Sequence, residues 1–149
     1  MALTIPRYLD ASVIVALFIE ESLTKRARSA IVNQRLIVSD FAVTELSSAV
    51  ARRVRMGEIT AGDAATLFGN VDAWVGRGAV MERLEPTDLA YATLLVRRLE
   101  LGLRAPDAVH LAIVTRLNAT LVTLDAKLAG AAAALGMAVE TGHDDAPSA

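Results

Sequence analysis

The feature that most constrains this chain is an alternation. Short apolar or β-branched runs recur between longer segments with helical spacing. Arg7 to Asp10 reads as a strand ending in an acid, and Arg35 to Val38, Ala79 to Leu84, Thr120 to Leu124 and Met137 to Glu140 read as further strands. Between them, Glu20 to Asn33 places Leu23, Ala27, Ala30 and Ile31 at helical intervals. After the N-cap choice Ser39-Asp40, a second helix carries the stripe Val43, Leu46, Val50 and Val54 and stops at Gly57. A third starts at Thr60, carries Ala64, Leu67, Phe68, Val71, Trp74 and Val75, and is expected to end at Gly76 and Gly78. Pro86-Thr87-Asp88 opens a helix through Leu99, closed by Gly102. Pro106 suits the first turn of a helix running to about Leu117, with Asn118 as a left-handed terminal residue. Ala126 to Leu135 is an Ala-rich helix ended by Gly136. Ala11 to Phe18 is too uniformly apolar to assign by period. Strands alternating with helices predict a three-layer α/β/α domain around a mainly parallel sheet of four or five strands. Residues 1–140 are expected to form this domain, with 141–149 as a polar, acidic tail.

Composition narrows the class. Hydrophobic residues make up 54% of the 149 positions and charged residues 21%, which excludes a disordered chain. A domain of this length needs no disulfide or metal staple. The absence of cysteine excludes disulfide scaffolds, thiol catalysis and Cys-bound zinc, and fits a reducing cytoplasm. The longest apolar run, Ala11 to Ile19, falls short of the ~20 residues that span a bilayer, so no membrane association is expected. Asp10 precedes that run with no basic region or cleavage site, so no signal peptide is expected. The net charge of −2 announces no global basic field. Positive charge is nearly all arginine, the better bidentate phosphate binder, since only Lys25 and Lys127 are lysine.

In open parallel sheets ligands bind beyond the carboxyl ends of the strands, so acids at those ends matter. Asp10 ends the first strand and Asp125 follows the Thr120–Leu124 strand. Glu45 lies early in the helix after the second strand, turned away from its apolar stripe, and Asp107 lies in the first turn of the Pro106 helix. Each also has a plain structural reading, as a helix cap, a first-turn charge or a turn residue. Brought together they would repel, by about 4 kcal/mol for a pair at 4 Å and an effective dielectric near 20, so such a cluster protonates or binds a cation. An all-oxygen donor set suits Mg²⁺ or Mn²⁺, and acid-only sites suit phosphodiester hydrolysis better than zinc chemistry.

Four ordered motifs carry a resemblance. They are Tyr8-Leu9-Asp10-Ala11-Ser12, Thr44-Glu45-Leu46, Leu103 to Ala112 (LRAPDAVHLA) and Leu121-Val122-Thr123-Leu124-Asp125. Together they resemble a PIN domain, and specifically the VapC toxins of the VapBC toxin–antitoxin family, over nearly the whole chain. The resemblance implies an Mg²⁺-dependent endoribonuclease, with Mn²⁺ as substitute, acting on RNA such as tRNA or rRNA. It implies that Asp10, Glu45, Asp107 and Asp125 bind metal and catalyse, supported by the hydroxyls of Ser12 and Thr123. It also implies a homodimer and a VapB-like antitoxin partner.

Other residues read as follows. Arg52 and Arg104 are candidate phosphate contacts, and Arg53, Arg55, Arg97 and Arg98 share that reading with a plain solvated one. His110, three residues after Asp107, reads as a packed or hydrogen-bonded helix histidine rather than a ligand. Phe68 and Trp74 read as core or dimer contacts. A haloacid-dehalogenase-type phosphatase wants a second Asp where Ser12 stands, and a receiver domain finds only Glu82 and Glu85 where its phosphoacceptor would be. No P-loop motif occurs. The rival from another class is a non-catalytic binding module.

Overall fold

A computed structural model describes residues 4–19 and 21–142 of the chain. The elements run β1 (Arg7–Leu9), α1 (Ala11–Phe18), α2 (Glu21–Ile31), β2 (Leu36–Ser39), α3 (Asp40–Arg55), α4 (Ala61–Gly78), β3 (Ala79–Glu82), α5 (Pro86–Val96), a 3₁₀ turn (Leu99–Leu101), α6 (Ala105–Leu117), β4 (Thr120–Val122), α7 (Ala126–Ala134) and β5 (Val139–Glu140). The five strands pair in the order β3-β2-β1-β4-β5, all parallel. The chain builds outward from β1 to β3, then crosses back to add β4 on the other side of β1. That reversal opens a crevice at the carboxyl ends of β1 and β4.

Period-2 alternation sorts the strand residues between two cores. Tyr8, Ile37 and Leu121 point into a core completed by α5, α6 and α7. Leu9, Val38 and Val122 point into another, completed by α1 to α4. Helix α6 is buried continuously from Ala108 to Val114, which is why it shows no amphipathic stripe.

Several boundaries differ from the expectation. Ala11 to Phe18 is helical, with Asp10 as its N-cap. Helix α3 centres its buried face on Ala42, Leu46 and Val50, with Val43 and Val54 only half-buried. Helix α4 continues through Gly76 and Gly78 and closes where the Ala79 amide donates to the Val75 carbonyl. Its Thr60–Asp63 capping box and the buried Val71 and Val75 outweigh the roughly 1 kcal/mol that each helical glycine costs. The helix from Pro86 ends at Val96 rather than Leu99, and the chain passes into the 3₁₀ turn, where Leu99 is 86% exposed while Leu101 packs against the core. Gly102 and Asn118 adopt the left-handed conformation, at φ 60° and 48°.

Trp74 meets Phe18 edge-on at 5.7 Å between ring centroids. Glu82 and Glu85 both pair with Arg116, which also forks onto the buried Asp88, with Nε to Oδ1 at 2.8 Å and Nη2 to Oδ2 at 2.9 Å.

The chain stays docked past residue 140. Arg26 Nε donates to the Thr141 carbonyl at 2.8 Å, and Gly142 packs on α2 at φ 74°. A Cβ on Gly142 would lie 2.3 Å from the Arg26 carbonyl oxygen. Gly142→Ala should therefore cost about 1–3 kcal/mol of stability. Urea unfolding measures that loss, and an unchanged midpoint would show that this contact does not hold the segment. The remaining tail, from His143, lies outside the described residues.

Candidate active site

The carboxyl ends of β1 and β4, one flank of α3 and the first turns of α6 enclose a cleft of about 590 Å³. Asp10, Glu45, Asp107 and Asp125 all line it, although 115 positions separate the first from the last. So do Ser12, His110, Arg52, Arg55 and Arg104. Arg53, by contrast, pairs with Glu58 at 3.6 Å.

The Asp10 carboxylate is 4% exposed and is held by hydroxyls with a fixed sense. The Leu124 amide donates to Ser12 Oγ at 3.0 Å, and Ser12 Oγ donates to Asp10 Oδ1 at 2.6 Å. The Asp125 amide donates to Thr123 Oγ1 at 3.0 Å, and Thr123 Oγ1 donates to Asp10 Oδ2 at 2.5 Å. Each hydroxyl accepts from a backbone amide, so its one proton turns toward Asp10. The Val13 amide adds a third donor, at 3.3 Å. Burial nevertheless raises the Asp10 carboxyl above its ordinary range, against the opposing pull of Ser12, Thr123, His110 and the Val13 amide. Removal from water, rather than repulsion between acids, is the leading cause. The four acids share the lining of one cleft.

The structural roles of the other acids coexist with their place in the cleft. Asp125 caps α7 by accepting the Lys127 and Leu128 amides at 2.9 and 3.2 Å. Asp107, in the first turn of α6, accepts the Arg104 amide at 3.4 Å, and Arg104 Nε lies 3.7 Å from the same carboxyl oxygen. Glu45, with its side chain 29% exposed, meets His110. Among the described residues, no three His, Asp or Glu side chains close around a common point as metal ligands. The donor chemistry, four carboxylates and no sulfur, still fits a hard divalent cation.

The residues given too little weight in the sequence are His110 and Tyr8. His110 is buried, as a packed histidine would be, yet it also touches an acid of the cleft. Tyr8 bonds to it from β1. The available signal was spacing: Tyr8 stands two residues before Asp10, and His110 stands one helical turn after Asp107.

Comparison with known proteins agrees with this geometry. Residues 7–134 match the family model described as PIN domain. VapC20 of Mycobacterium tuberculosis, whose structure is that of a sarcin–ricin loop cleaving toxin, is similar in fold at a TM-score of 0.68 and 16% identity, over 88% of this chain and 95% of that one. VapBC2 of Rickettsia felis, bound to a DNA fragment from its promoter, gives 0.65 and 16%, over 90% and 96%. FitAcB of Neisseria gonorrhoeae gives 0.65 and 18%, over 91% and 96%. Among curated proteins, none matches the chain. The five-stranded parallel order, the cleft at its switch point and the match across residues 7–134 place this chain in the PIN domain family.

Proposed function

We propose that this chain is a divalent-metal-dependent endoribonuclease, the toxin of a VapBC-type toxin–antitoxin pair, hydrolysing phosphodiester bonds of tRNA or rRNA. The observation that carries the reading is the convergence of four acids and three arginines on one cleft. Asp10, Glu45, Asp107 and Asp125 would hold Mg²⁺, with Mn²⁺ as substitute. When bound, such an ion lowers the pKa of a coordinated water and offsets charge on the phosphoryl group. Ser12 and Thr123 keep Asp10 an acceptor on both oxygens, and Arg52, Arg55 and Arg104 meet the phosphates that flank the cut. Support comes from similar folds: VapBC2 is bound to a DNA fragment from its promoter, and VapC20 is a sarcin–ricin loop cleaving toxin. A VapB-like antitoxin, a homodimer and a cytoplasmic setting complete the proposal. Among the described residues, no helix is long and apolar enough to cross a membrane.

A non-catalytic RNA- or protein-binding module is the second reading. In its favour, Asp10, Glu45, Asp107 and Asp125 each rest on a protein partner, with no closed ligand set.

Incubating purified, antitoxin-free protein with mixed tRNA and rRNA separates the two. Discrete fragments that need Mg²⁺ or Mn²⁺ and vanish with chelator are expected. Binding without cleavage in any metal would favour the module. A second expectation concerns salt. If the arginines meet RNA phosphates, log Kd should rise with log salt by roughly 0.7 per contact, and Arg52→Ala should lower that slope by about 0.7. Filter binding across a salt series reads this, and an unchanged slope in Arg52→Ala would remove Arg52 from the RNA interface.

A further inference from the structure

A second hydrogen-bond chain enters the cleft from the interior and ends on Glu45. Ser39, the N-cap of α3, accepts the Ala42 amide at 3.0 Å. Its Oγ lies 2.7 Å from Tyr8 Oη, and Oη lies 2.7 Å from His110 Nδ1. His110 Nε2 contacts Glu45 Oε1. Ser39 and Tyr8 are wholly buried and His110 is 3% exposed. The rings of Tyr8 and Phe41 pack on the imidazole at centroid distances of 5.7 and 5.1 Å, which fixes its plane.

The donors can be ordered from the inside out. A carboxylate oxygen accepts, so His110 donates to Glu45 from Nε2, and its other ring nitrogen, Nδ1, faces Tyr8 Oη. Burial pushes the Tyr8 phenol far above its ordinary range, so Tyr8 holds its proton and donates it to Nδ1. Tyr8 Oη then accepts from Ser39. Every proton in the chain points toward Glu45, and a backbone amide anchors its far end. The chain engages only Oε1 of Glu45 among the described residues, which leaves Oε2 uncommitted at the cleft.

We propose that His110 is a positioning residue: backed by Tyr8 and Ser39, it holds the Glu45 carboxylate at the cleft wall so that Oε2 is presented to the divalent cation. This rests on the nuclease reading above. His110 acts through Glu45 and touches neither substrate nor metal. Partners of this kind, behind a ligand, typically set metal affinity by 10–100-fold.

The test uses the full chain and Mn²⁺ alone. Because the sequence has only two histidines, His110 and His143, long-range ¹H–¹⁵N spectra assign them readily. His110 is expected as the Nε2–H tautomer, and an Nδ1–H tautomer would overturn the proposed chain. By calorimetry, His110→Leu should weaken Mn²⁺ binding about 10–100-fold. Tyr8→Phe, which keeps the ring, should weaken it by a smaller factor. His110→Gln should restore most of the loss, because its amide can still donate to Glu45. In a Glu45→Gln background, His110→Leu should add nothing, since its route is already cut. Unweakened binding in folded Tyr8→Phe and His110→Leu, or an additive loss in the Glu45→Gln background, would overturn the role of His110 alone. A wild-type chain that binds no Mn²⁺ would overturn the nuclease reading and this role with it.

Discussion

Asp10→Asn should fold and should cleave RNA about 10³-fold more slowly than the wild type. A divalent ion at a phosphoryl centre contributes several kcal/mol, and each 1.36 kcal/mol is about tenfold in rate. The substitution is small in structural terms. An asparagine oxygen can still accept the Val13 amide, so the N-cap of α1 survives. What it loses is the second acceptor oxygen. Ser12 and Thr123 each direct a proton at Asp10, and the amide nitrogen of asparagine must oppose one of them. Asp125→Asn makes a useful companion, because asparagine caps α7 as well as aspartate does, so a lost rate there reports the cleft and not the helix. Single-turnover cleavage at saturating Mg²⁺, beside a melting curve, checks both. A folded Asp10→Asn with wild-type rate would place the chemistry elsewhere.

The largest expected stability effect lies outside the cleft. Asp88 is 2% exposed, and its charge is met by the guanidinium fork of Arg116, which also reaches Glu82 and the Arg83 carbonyl. Burial works against the Asp88 charge, but the Arg116 hydrogen bonds and the Glu85 amide outweigh it and hold the carboxyl below its ordinary value of 3.8. Arg116→Met keeps the apolar stem and removes the fork, leaving a buried carboxylate unpaired, which should cost about 3–5 kcal/mol. For a chain of this size that is on the order of 10 °C in Tm. The sign with pH follows. With its folded pKa depressed, Asp88 contributes stability above its ordinary value, and that contribution is lost as pH falls through the lower folded value. In Arg116→Met only the Glu85 amide still opposes burial, so acidification should relieve part of the damage rather than add to it. Denaturant midpoints from pH 3 to 7 for both proteins measure this. A parallel acid loss in the two would mean that the pair contributes little. Restoring stability with an added Asp88→Leu would show that the unpaired charge, and not the lost stem contacts, was the cause.

How much of this was legible depends on the range of the interaction. Strand and helix order follow from periodicity and caps within a few residues, which is why the Thr60 cap and Asn118 could be read directly. The parallel three-layer architecture follows from the alternation itself, because short strands joined by helices have few other ways to bury both faces. Helix ends set by distant packing were harder. Leu99 carries the right residue type for a continued helix, but its side chain faces water, and only the position of the core reveals that. Thr141 and Gly142 read as tail because nothing local shows that Arg26, 115 residues away, holds them.

The site divides the same way. Residue types, order and spacing brought out the four acids, the two hydroxyls and the arginines, since a motif is a local object. That the four acids line one cleft depends on β4 returning beside β1, a contact across more than a hundred residues. The route from Ser39 through Tyr8 and His110 to Glu45 joins two strands and two helices, and no segment of the sequence contains more than part of it. A residue's chemistry and its place along the strand or helix are written in the chain, but its hydrogen-bond partner is chosen by packing between segments remote in sequence, where burial makes every unpaired donor costly.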